Sequence, residues 1–130
     1  MELRPALWAD VESILDRLSD QNRTEYPPIT DAFKLRMLAF MMEGEATVMW
    51  FDGQPQAFLA INNSVTWFAG TNAYFEKGLP AFRVSRRLMK EAVQRHGPIV
   101  SISGSKHPAT AKWFKLMGAH SEDGRVFLFA

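Results

Sequence analysis

Arg83, Arg86, Arg87 and Lys90 are four of the five Lys and Arg residues in the stretch GLPAFRVSRRLMKEAVQRHG of residues 78–97, just after an aromatic β-run. A strand that enters a helix through glycine leaves bare backbone N–H groups that can approach a phosphorylated group. A guanidinium grips an oxyanion through two parallel hydrogen bonds. The chemistry open to this stretch is therefore the binding of a phosphate-bearing group. Proton transfer has its own candidates. His107, set before Pro108 at a helix start, can be neutral at physiological pH and accept a proton. Glu76 and Tyr74, ahead of the glycine, offer a base and an acid. Each has a plainer reading: His107 as a helix cap or surface residue, Glu76 and Tyr74 as exposed loop residues, and the arginines as the solvated face of an amphipathic helix. That helix would turn Phe82, Ser85, Leu88, Met89, Ala92 and Val93 inward, with Glu91 four residues from both Arg87 and Arg95.

Other chemistries are excluded by type and spacing. His96 and His120 have no partner at ligand spacing, and there is no cysteine, so neither a metal motif nor a disulfide can be written. No serine is flanked as a nucleophile, and SISGSKH has a glycine and a lysine without the spacing that cradles phosphates. With 15 Lys and Arg against 14 Asp and Glu, the formal charge is +1, which argues against nucleic acid as a partner and makes any anion site local. The chain of 130 residues, 47% of them hydrophobic, is expected to form a single domain, 1–130, with a packed core. MELRPALWADVESIL has no signal-peptide core and no apolar run is long enough to cross a bilayer, so the expected location is the cytoplasm or the inside of a particle.

The elements that must position these residues follow from periodicity. ELRP reads as a short strand, and Leu7, Val11, Ile14, Leu15 and Leu18 recur at helical spacing. TEYPPIT breaks that helix, because two prolines remove donors, and Thr30 or Asp31 caps a second helix that stops at Gly44. ATVMWF, DGQP and QAFLAIN make a hairpin, Asn62-Asn63 turns the chain, and SVTWFAG is a third antiparallel strand. The basic helix of residues 80–96, the strand IVSIS, the helix HPATAKWFKLM and a hairpin about Asp123-Gly124 complete the chain. The predicted class is α/β (α+β) with a mixed, mostly antiparallel sheet, in the order β α α β β β α β α β β.

That order, with KWFKLMGAH after a buried strand and a second helix, resembles the GNAT superfamily of acyl-CoA-dependent N-acyltransferases over nearly the whole chain. VTWFAGTNAYFEKGLPAF, the basic helix and KWFKLMGA look, more narrowly, like the small GNAT-like proteins of tailed phages. The resemblance implies a splayed sheet that holds acetyl-CoA between the fourth and fifth strands, here VTWFAG and IVSIS. It implies cofactor contacts from Trp67 and Phe68 on the fourth strand, Arg83, Ser85 and Arg86 on the basic helix, and Phe114 on the late helix. At the three positions where the family places Arg or Gln, Gly, and Gly or Ala, this sequence has Pro80, Arg83 and Ser85, so a guanidinium would have to replace bare amides. The tyrosine that often serves as the acid on the late helix is Phe114, and the asparagine that opens that helix is His107. Aromatic residues such as Trp67 and Phe68 are equally read as core.

Two functions follow from the resemblance. The first is transfer of an acetyl group to an amine of a small molecule or protein. The second is a GNAT-fold protein without catalysis that acts through contacts with a phage or host protein, in the cytoplasm or in a virion. A nucleic-acid module using the basic helix face ranks last, and no membrane is implied.

Overall fold

The computed structural model describes residues 1–103, 105 and 107–130. The chain runs β1 (Glu2–Pro5), α1 (Trp8–Asp16), α2 (Asp20–Glu25), α3 (Asp31–Glu43), β2 (Glu45–Phe51), β3 (Gln54–Asn62), β4 (Val65–Gly70), α4 (Asn72–Lys77), α5 (Leu79–His96), β5 (Ile99–Ile102), α6 (Pro108–Leu116) and β6 (Val126–Phe129). The strands form one sheet in chain order, antiparallel throughout except for the parallel pair β4–β5. The mixed α/β class is as expected, and three local differences from the periodicity have physical causes.

The first is α2. Ser19 caps it by accepting from the Asn22 N–H at 3.0 Å, so three helices rather than two separate β1 from β2. The second is α4. Thr71 caps it by accepting from the Tyr74 N–H, and Gly78, at φ +69°, separates it from α5. The third is the final hairpin, whose first strand shrinks to a single bridge between His120 and Leu128. In that stretch the Asp123 carboxylate accepts from the N–H groups of Arg125 and Val126, at 2.8 and 3.0 Å, and such local bonds compete with a ladder.

The sheet separates two apolar layers. On one face α1 and α3 bury Val11, Ile14, Leu15, Phe33 and Met37 against Val48, Phe58 and Ala60. On the other, α5 and α6 bury Met89, Ala92, Trp113 and Phe114 against Leu59, Ile61 and Phe68. The central strand β3 is covered on both faces and reads as a nearly continuous buried run. Asp52-Gly53 turns β2 into β3 with φ of +54° and +76°, as the Asp-Gly pair predicts. The next turn is set by Asn63 and Ser64, one residue later than the Asn62-Asn63 expected, because Asn62 still pairs with Val65.

Gly44, which ends α3, lies against β3 so closely that a Cβ there would stand 2.0 Å from the Ile61 carbonyl oxygen. Gly44→Ala is therefore expected to destabilise the fold by about 3 kcal/mol, since a backbone atom cannot yield as a side chain does. Urea unfolding would show it, and an unchanged midpoint would mean that the α3–β2 corner is looser than described.

Candidate functional site

β4 and β5 share a single register pair, Val65 with Val100, and then diverge. Beyond it, the β5 side of β4 is free to hydrogen-bond something else. The Phe68 carbonyl is met by a side chain: the Tyr26 hydroxyl, at the end of α2, donates to it at 2.5 Å. The wedge between the strands is lined by Glu25, Tyr26, Trp67, Phe68, Ser101, Ile102, Trp113 and Phe114 and holds a cavity of only about 20 Å³. That is room for roughly one water molecule.

α2 is held at the end of β4 from both sides. The Gly70 N–H donates to Asn22 Oδ1 at 2.8 Å, and the Ser19 N–H donates to the Gly70 carbonyl at 2.9 Å. These bonds carry Glu25 into the wedge. Its Oε2 accepts from Asn22 Nδ2 at 3.3 Å, whereas Oε1 is buried without a hydrogen-bond partner among the described residues. Burial pushes the Glu25 carboxyl up to about 7, against the opposing pull of the Thr110 hydroxyl and of Asn22. Burial, and to a lesser degree the Glu25 charge, also hold the Tyr26 phenol well above its ordinary range, so that it remains a donor. Thr110 extends outward through hydroxyls: Ser105 Oγ lies 3.1 Å from Thr110 Oγ1 and 2.5 Å from Thr24 Oγ1. The arrangement is a buried carboxyl, titrating near neutrality, in a crevice between splayed strands with an aromatic wall. Phe68 and Trp113 have ring centroids 4.5 Å apart, and Trp113 and Phe114 5.2 Å.

Solved structures share this architecture. The protein smu.2055 of Streptococcus mutans UA159 superposes with a TM-score of 0.72 at 14% identity, covering 99% of this chain and 98% of its own. A GNAT superfamily phosphinothricin acetyltransferase from Sinorhizobium meliloti, in complex with AcCoA, gives 0.63 at 15%, over 98% of this chain and 85% of that one. The fold is that of the GNAT acyltransferases. The Escherichia coli ribosomal-protein-S18-alanine N-acetyltransferase, at 0.66 and 12% identity over 98% and 88%, shows the same GNAT architecture. No protein-family profile and no curated protein matches the sequence. At these identities the likeness is one of fold.

Within the GNAT frame the residues singled out from sequence separate into groups. Phe68 and Phe114 meet in the wedge with Trp67, which also faces the α3 side, where it packs edge-on to Tyr26 at 5.2 Å. Tyr74 and Ser85 are brought together one layer behind. Tyr74 is fully buried, its hydroxyl 2.7 Å from Ser85 Oγ and accepting from Trp113 Nε1 at 3.2 Å. Desolvation raises that phenol above its ordinary range, and its oxygen is committed to α5 and α6 rather than to the wedge. Ser85 is likewise buried and donates to the Ala81 carbonyl at 3.2 Å. Arg83 and Arg86 are exposed on α5, and Glu76 is exposed on α4. His107 caps α6: its Nδ1 accepts from the Ala109 N–H at 3.1 Å, which fixes the lone pair on that nitrogen. Among the described residues no cluster of His, Asp and Glu could hold a metal ion, and no helix is long and apolar enough to cross a membrane.

Glu25, Tyr26, Asn22 and Thr110 were not legible as site residues. TEYPPIT carries a signal for chain breaking, and a glutamate in a polar turn looks solvated. Glu25 is placed by the bonds of Ser19 and Asn22 to Gly70, which no local pattern announces.

Proposed function

We propose that the chain is an acyl-CoA-dependent N-acyltransferase, with Glu25 as the base that takes the amine proton. The observation that carries this is the divergence of β4 from β5 after one pair, with a buried carboxyl of pKa about 7 inside the wedge. A group titrating there is half-ionised at neutral pH and accepts a proton efficiently. Asn22 orients it, and the hydroxyls of Thr110, Ser105 and Thr24 run from beside it toward the surface.

A wedge of about 20 Å³ does not admit a thioester arm while Tyr26 stays on the Phe68 carbonyl. Withdrawal of Tyr26 would leave that carbonyl to accept from an amide of the arm, between the rings of Phe68, Trp113 and Phe114. Arg83 and Arg86 would supply phosphate contacts in place of the glycine loop. Acetyl-CoA, when bound, supplies an activated acyl group. The acceptor is an amine of a small molecule or a protein. Tyr74, whose proton is held by its neighbours, works as support, and the half-buried His107 and the exposed Glu76 stand as alternatives to Glu25.

Calorimetric titration with acetyl-CoA and CoA tests this reading. The expected result is saturable micromolar binding. Tyr26→Phe should tighten it by about fivefold, because one competing hydrogen bond is gone, and Arg83→Glu should weaken it by about tenfold or more. Absence of heat at millimolar acetyl-CoA for both the native chain and Tyr26→Phe would sink the enzyme reading. The closed wedge and the substituted glycine loop would then favour the second reading, a GNAT-fold protein acting through a phage or host protein partner. Either function places the chain in the cytoplasm or a virion.

A further inference from the structure

α3 presents Phe33, Arg36, Met37 and Phe40 on one side, at the spacing that lines up successive turns. With Pro27 and Trp67 they wall a groove of about 520 Å³, mostly apolar, in the size range of small-molecule sites. Arg36 is its only charged lining residue among the described residues. The guanidinium is exposed and has no carboxylate partner among the described residues. Trp67 lines both this groove and the wedge that holds Glu25, so one indole is a wall of both spaces. The indole ring is fixed by edge-on contacts with Tyr26 and Phe33, at 5.2 and 6.0 Å, and offers a rigid apolar surface.

We infer that this groove binds the acyl acceptor, and that the acceptor is an apolar amine-bearing carboxylic acid, either an amino acid with a large apolar side chain or a short apolar peptide. The apolar body lies on Trp67, Phe33, Met37 and Phe40. The carboxylate pairs with Arg36, which otherwise stands beside an apolar groove with no counter-charge. The amine points past Trp67 toward Glu25. A lone cation on an apolar wall selects for a ligand with one negative end and rejects a plain hydrophobic amine, because the carboxylate gains a two-pronged partner that the amine alone cannot use. The assignment rests on the acyltransfer reading for the direction of the amine, but not for the binding.

The test therefore uses ligands that need no acyl-CoA. N-acetyl-L-phenylalanine and N-acetyl-Leu-Phe, as product forms, are titrated by calorimetry beside N-acetyl-2-phenylethylamine, which lacks the carboxylate. At least one of the two acids should bind saturably, about tenfold or more tighter than the neutral compound. Arg36→Glu should abolish that preference, Arg36→Lys should keep part of it, and Trp67→Phe should weaken both classes. Thermal melts confirm that the exposed Arg36 variants fold. Preference for the phenylalanine derivative or for the dipeptide decides between the amino acid and the peptide. Equal binding of acid and neutral ligand, no binding of either acid, or an unchanged preference in Arg36→Glu would overturn the inference. Acid binding without acetyl-CoA binding would leave the groove assignment standing and remove the acyltransfer reading; acetyl-CoA binding without acid binding would do the reverse.

Discussion

Glu25→Gln is expected to stabilise the protein at pH 8, to flatten its stability between pH 5 and 8, and to remove about 10²–10⁴-fold of any acyl transfer. The folded-state pKa of about 7 lies above the ordinary carboxyl value of 4.5. Between those values the folded protein keeps a proton that the unfolded chain has released. The stability contributed by the neutral carboxyl is thus fully present below pH 4.5 and is lost as pH rises through 7. The loss amounts to about 2–3 kcal/mol, or a fall in Tm of roughly 5–10 °C by pH 8. A neutral glutamine keeps the Asn22 contact and carries no charge to bury, so this fall should be missing from its melting temperature across that range. Among the described residues, Tyr26 beside Glu25 stays protonated throughout, and Asn22 and Thr110 do not titrate. Thermal melts of both proteins at pH 5 and 8 measure the effect. A native-like pH slope in the variant would show that another group is responsible, and the case for Glu25 as base would go with it.

Tyr74→Ala should be the most destabilising single change in the α5–α6 layer, costing about 3–5 kcal/mol. The side chain is wholly buried and its ring contacts Phe68, Phe75 and Phe82 with centroids 5.2, 4.9 and 5.5 Å away. Its hydroxyl is the acceptor for Trp113 Nε1 and the partner of Ser85. Tyr74→Phe keeps the ring but leaves the indole N–H buried without an acceptor, and is expected to cost about 1–3 kcal/mol. Urea unfolding of the two variants separates ring from hydroxyl. Should Tyr74→Phe instead leave the midpoint unchanged and lower turnover, the phenol would belong to the chemistry and not to the support of the wall.

Gly70 explains why this tyrosine can lie so close to the end of β4. A Cβ there would stand 2.7 Å from Tyr74 Cδ1, so glycine at this position is a packing requirement and not a turn. The absent side chain at Gly70 is what lets α4 fold back on β4. The glycine that does serve as a joint is Gly78, whose positive φ starts α5.

Element types were legible in the amino-acid order wherever a local cause sufficed. Hydrophobic period marked α1, α5 and the strands, Asp52-Gly53 and Gly97 set a turn and a helix end, and the order of strands and helices together with KWFKLMGAH carried the resemblance to the GNAT superfamily. Only tertiary structure decided what occupies the space between β4 and β5. Glu25 and Tyr26 come from residues 20–30, whereas the walls of the wedge come from β4, β5 and α6, and these meet only when Ser19 and Asn22 bond to Gly70. The shift of Glu25 depends on water removed by residues more than forty positions away, so no window of sequence contains its cause. The same holds for Tyr74. Its neighbours in sequence leave it a loop residue, but packing between α5 and α6 makes it core, because a phenol can be buried once Ser85 and Trp113 satisfy its oxygen.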